Sequence, residues 1–166
     1  MFVLGIDPGL SRTGYGVIES AGTTVRAIAA GVLSTAPGGD LGSRLAELHA
    51  DLCGLIAEYR PGEVAIEEVF VNRNLQTAMS VGRASGVAIL AAAGAGLQVF
   101  EYTPSAVKMA IAGFGDATKA QVQMMVARRL GLSGAPEPAD AADALAVAIC
   151  HLQAAGLRRA VDRATR

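Results

Sequence analysis

Tryptophan is absent from this 166-residue chain, and aromatic residues make up only 4% of it. Large rings therefore cannot fill its interior. The chain is still 52% apolar and rich in alanine, so its core has to be built from small and branched side chains with closely packed helices. Its length suits a single domain. Cysteine is equally scarce: Cys53 and Cys150 stand far apart in helical patterns, with no second thiol near either. That argues against a disulfide framework or a thiolate metal site and leaves each as a small core residue. Long apolar runs are missing too. The longest, Gly86 to Leu97, is too short to span a bilayer, and the opening run stops at Asp7, short of a secretory signal. The sequence reads as cytoplasmic, with no membrane partner. There is also no excess of positive charge, and a net charge of −1 argues against a generic nucleic-acid binder. Four clustered acids holding two divalent ions would reverse that sign, to about +3 by addition.

What is present starts with Phe2-Val3-Leu4-Gly5-Ile6-Asp7-Pro8-Gly9, an apolar run ending in an acid and a turn. It reads as a buried strand presenting one carboxylate at its C-terminal end. That carboxylate is an ordinary turn residue or a ligand for a divalent cation; the stretch alone fits both. Residues 2–7, 14–20 and 25–35 form three antiparallel strands, with Gly14, Gly16 and Ala21 to Thr24 supplying turns. Ser43 to Tyr59 has helical spacing, and residues 63–70 form a fourth strand. Strand, helix, strand at this length implies a parallel crossover that sets the fourth strand beside the first. A helix over 75–93, a strand over 99–102 and helices over 104–112, 118–130 and 139–155 complete an α/β domain at residues 1–156. Thr103-Pro104 reads as an N-cap with Pro at the first helical position. Residues 157–166 form a basic, flexible tail.

Four acids interrupt apolar strands or stand among alanines: Asp7, one of Glu67 and Glu68, Asp140 and Asp143. Asp140 and Asp143 are three apart, so a helix places them on one face about 5–6 Å apart at Cβ. A helix N-terminus would favour one negative charge there, and accounts less easily for two. On a strand Ala65 and Glu67 share a face, so Glu67 has the small neighbour and Glu68 is left to solvent or a salt bridge. An all-oxygen set suits Mg²⁺ or Mn²⁺, and two such ions about 3.5–4 Å apart support phosphodiester cleavage. The two histidines stand outside this set. His49 is far from any acid in sequence, and His151 lies roughly 16 Å beyond Asp140 along one helix.

Six stretches occur in order: Leu4 to Gly9 with Thr13 to Gly16, Ala65 to Phe70, Gly82 to Ala88, Glu101-Tyr102 with Val107-Lys108, Lys119 to Gln123, and Ala139 to Ala146. Together they resemble the bacterial RuvC crossover-junction endonucleases over about residues 2–151. The resemblance implies an RNase H-like fold, with a five-stranded mixed sheet (three antiparallel strands plus parallel crossover strands) flanked by helices. It also implies a homodimer and metal-dependent resolution of four-way Holliday junctions in recombination and repair. By that resemblance Asp7, Glu67, Asp140 and Asp143 are the catalytic and metal-binding acids, taking two Mg²⁺ or Mn²⁺ ions per site, and Lys108 and Lys119 lie near the scissile phosphate. Phe70 matches an aromatic that disturbs base stacking, and Arg12, Arg83, Arg73 and Asn74 are DNA contacts. A branch-migration motor complex is the implied partner.

Three other readings compete. One is another RNase H-like nuclease that acts on structured RNA. A second is an inert junction-binding module, disfavoured by four retained acids. The third is a sugar-kinase or actin-like ATPase, whose two lobes this chain is too short to form.

Overall fold

The computed structural model describes residues 1–22, 24–69 and 75–165; beyond Arg158 it describes the side chains of Val161 and Thr165 alone. Strands β1 (Phe2–Asp7), β2 (Arg12–Ala21) and β3 (Thr24–Ser34) form an antiparallel meander. Helix α1 (Leu41–Tyr59) crosses over to β4 (Glu63–Glu67), which pairs parallel with β1. Helix α2 (Leu75–Gly94) leads to β5 (Gln98–Tyr102), parallel to β4. Helices α3 (Pro104–Ala112), α4 (Lys119–Leu130) and α5 (Ala139–Ala164) follow. The strand order is β3-β2-β1-β4-β5, the five-stranded mixed sheet expected, with β1 at its centre.

Alternation along the strands sends successive side chains to opposite faces. Leu4, Ile6, Val64 and Ile66 pack with α1 and α2. Val3 and Ala65 face the other way, into a core completed by Val107 and Ile111 of α3, Val122 and Val126 of α4, and residues 145–150 of α5. On that face the absence of side chains is structural. A Cβ at Gly5 would overlap the backbone of Ala144 and Ala148, one at Gly16 would meet Leu145, and one at Gly14 would overlap the carbonyl of Asp140. Helix α5 therefore lies with its backbone directly on β1 and β2. Its alanines are the other half of that contact, with Ala141, Ala142, Ala144, Ala146 and Ala148 at 0–1% exposure. Farther along, buried His151 ties α5 to the sheet through Nε2 to Glu63 (2.7 Å) and Nδ1 to the Tyr102 hydroxyl (2.9 Å).

Four local expectations change. Gly14 and Gly16 lie within β2 rather than in a turn, because they are the seat of α5. Strand β4 stops at Glu67, where its partner β5 ends at Tyr102. Helix α5 continues past Ala155 to Ala164, and Arg158 folds its guanidinium over Phe100, 4.6 Å from the ring centroid. Cys150 is buried, but Cys53 is exposed beside His49 because it falls on the outer face of α1. Among the described residues no helix is long and apolar enough to cross a membrane.

Candidate active site

Asp7 is the last residue of the central strand, and the turn after it is fixed by one buried hydroxyl. Thr13 donates to the Gly9 carbonyl (2.7 Å) and accepts from the Gly9 amide (3.3 Å). Ile6 pairs with Ile66, so Asp7 and Glu67 stand side by side one step beyond, and their carboxyl groups share a hydrogen bond. Glu68 is exposed. The first turns of α5, seated on Gly14, bring in Asp140 and Asp143. One carboxylate oxygen from each of Asp7, Asp140 and Asp143 lies within 4.8 Å of the others. The structure thus gathers all four acids singled out in the sequence.

Crowding shows in their protonation. Asp7 is pushed up to about 8, first by burial and then by the charges of Glu67, Asp143 and Asp140, with Lys119 pulling the other way. Glu67 is also raised, by burial first and then by Asp143; the bond to Asp7 and the charges of Lys119 and Lys108 oppose the rise. Desolvated like charges favour the neutral form, so without a further cation both Asp7 and Glu67 are pushed toward it.

Among the described residues two cations pair with acids of the cluster. Lys119 Nζ lies 2.6 Å from Asp143, and this bond holds the lysine above its ordinary value. Arg12 Nε lies 2.8 Å from Asp140. Lys119 is placed by the capping box of α4, in which Thr118 and Gln121 satisfy each other's backbone amides. Lys108 is placed by α3, which opens on the expected Thr103 cap with Pro104 next. Lys108 and Lys119 share a cavity of about 230 Å³ with Glu67, Asp143 and an apolar wall that includes Val107 and Val122. Arg83 sits exposed on α2, outside this group, and Phe70, Arg73 and Asn74 lie outside the described residues.

Sequence reading did not find the Thr13 clasp, the seat at Gly14 or the Arg12–Asp140 pair. A Thr four residues after Pro-Gly was a usable sign of the first. The last joins residues 128 apart and had no local sign.

The donor set tests the implied metal directly. Three carboxylates converge and offer oxygen alone; Asp140 and Asp143 each have one cation beside them, while Asp7 is buried among like charges. Hard divalent cations fit such a set. Fold and site together define a nuclease of the RNase H-like class. The sequence profile described as "Crossover junction endodeoxyribonuclease RuvC" matches residues 3–151, and the chain belongs to this RuvC family. It is 52% identical to the crossover junction endodeoxyribonuclease RuvC of Salinispora arenicola, covering 100% of this chain and 98% of that one. The Thermus thermophilus RuvC structure superposes with a TM-score of 0.87 at 40% identity, covering 95% and 96% of the two chains. T. thermophilus RuvC in complex with Holliday junction substrate gives 0.86 at 40% identity, covering 92% and 93%.

Proposed function

We propose that the chain resolves four-way Holliday junctions by paired, symmetric nicks in opposing strands, leaving 5′-phosphate and 3′-hydroxyl ends. The observation that carries this reading is the convergence of Asp7, Glu67, Asp140 and Asp143 beside a cleft that Glu67 and Asp143 line together with Lys108 and Lys119. Bound by those four acids, two Mg²⁺ or Mn²⁺ ions would supply water activation and stabilisation of the leaving oxygen. The chain's own residues do the rest. Asp7 and Glu67, both biased toward the neutral form by burial and like charge, would be held ionised in the loaded site. Lys119 and Lys108 meet the negative charge that develops on the phosphate, at positions set beforehand by capped helices. Pro104, Val107, Val122 and Ala146 line the cleft with apolar surface and strengthen those interactions by keeping water out. Phe70, Arg73, Asn74, Arg83 and Arg12 serve as further DNA contacts, Phe70 by disturbing base stacking.

Paired nicks call for two active sites, and a twofold homodimer supplies them. Helix α2 offers the surface. Leu75, Met79 and Leu90 are 65%, 50% and 62% exposed on it, and Gly82 and Gly86 have open space where a side chain would be. The enzyme would act in the cytoplasm beside a branch-migration motor complex. The test is cleavage of a synthetic four-way DNA junction compared with matched duplex DNA and a structured RNA, with Mg²⁺ present. Cleavage confined to the junction is the result expected. Preferred cleavage of the RNA would overturn the reading.

A further inference from the structure

A second depression opens from Arg12, on a wall that shares no residue with the lysine-lined cleft. It has a volume of about 400 Å³ between the β1–β2 turn, the start of α1 and the start of α2. Ser11, Arg12, Arg44, Gln76, Thr77 and Ser80 supply its polar surface, and among the described residues no carboxylate lines it. That contrasts with the four acids next door. Arg44 is the informative residue. Its Nε donates to Thr35 Oγ1 at 2.9 Å and its Nη2 to Ser11 Oγ at 2.8 Å. Thr35 is itself buried and donates to the Leu10 carbonyl at 2.6 Å. Among the described residues Arg44 makes no ion pair with a carboxylate. A half-buried guanidinium is thus held by neutral hydroxyls, with no carboxylate at ion-pair distance among the described residues. Such a group is prepared for an anion, and a fixed guanidinium suits phosphate oxygens in particular.

We propose that this groove is a phosphate subsite for the DNA backbone flanking the cleaved bond. Arg44 and Arg12 neutralise the phosphates there, and the Gln76 amide donates to them. The inference rests on the junction-nuclease reading and extends it. Arg12 links the two sites, because the side chain that clasps Asp140 also lines the groove. A strand whose scissile phosphate reaches the acids then continues past Arg12 toward Arg44. Readout here is of backbone and not of bases, so the gain in affinity is the same for every junction sequence.

Arg44 also ties Ser11 to Thr35, so exposed Gln76 carries the test. Binding of a fluorescent four-way junction is measured without divalent metal, so that strands stay intact, across a salt series. Gln76→Lys is expected to tighten binding and steepen the salt dependence by about 0.9 in log–log slope, and Gln76→Glu to weaken binding about fivefold. Gln98→Lys is the control: Gln98 pairs with Glu63 at the opposite end of the strands from the acids, and its slope should equal the parent's. Melting temperatures of all the variants should also equal the parent's. If the parent binds and both Gln76 variants match its affinity and slope, the groove is not a phosphate subsite. A slope change in Gln98→Lys equal to that in Gln76→Lys overturns it as well. If the parent binds no junction, the nuclease reading fails, and the groove assignment with it.

Discussion

Gly14 lies against Asp140 so closely that a single methyl group on the glycine would overlap the aspartate's carbonyl carbon and oxygen. The acid at the start of α5 reaches Asp7 only because β2 has no side chain at this point. Gly14→Ala is therefore expected to push the first turn of α5 off the sheet. Overpacking of this kind costs about 1–3 kcal/mol, seen as a lower melting temperature together with a smaller Mg²⁺-induced rise. Gly134→Ala, where the added methyl meets nothing within 4 Å, should change neither.

Metal should stabilise the parent fold. A cation that binds the native acids and not the unfolded chain contributes about 2.7 kcal/mol at a hundred times its dissociation constant. Asp7→Asn should lose most of that gain, measured by thermal unfolding with and without Mg²⁺ or Mn²⁺. A parent melting temperature indifferent to both metals would contradict a preformed site.

The pH dependence has a definite sign. Asp7 moves from an ordinary value of 3.8 in the unfolded chain to about 8 in the fold, and Glu67 moves in the same direction. The native state then binds more protons than the unfolded state across this interval, so stability falls as pH rises from about 4 through 8. Without metal, denaturant midpoints should decline over that window, and Asp7→Asn should flatten the decline. Because the ligands must be ionised, the apparent affinity for Mg²⁺ should rise with pH over the same window.

Helix α2 carries the prediction for assembly. Gly82→Leu or Gly86→Leu adds bulk where the chain has open space, so the monomer fold should survive while dimerisation weakens. Sedimentation velocity checks this at several concentrations. Unchanged sedimentation of both variants would remove α2 from the interface.

Much of this was legible in the sequence because the chain breaks its own patterns at the site. Asp7 ends an apolar strand, and Asp140 and Asp143 interrupt a run of alanines. Strand parity with Ala65 singled out Glu67, and the fold puts Glu67 against Asp7 and leaves Glu68 exposed. Features that depend on two distant elements meeting were not legible. Gly14 and Gly16 look like turn residues until α5 is laid across β2. Nothing near Arg12 announces Asp140, and Arg44 gains its meaning only when Thr35 and Ser11 close around it. The length of α5 was misread for a related reason: a polar, basic stretch resembles a tail until Arg158 is seen packed on Phe100.

The central claim is that four carboxylates make one metal-dependent nuclease centre, and the most direct test separates binding from cutting. Asp7→Asn and Asp143→Asn are compared with the parent on a four-way junction at saturating enzyme, with Mg²⁺, with Mn²⁺ and with neither. Both variants should bind the junction as the parent does and fail to nick it, and the parent should nick only when metal is present. Full cleavage by either variant, or by the parent without metal, would contradict the account.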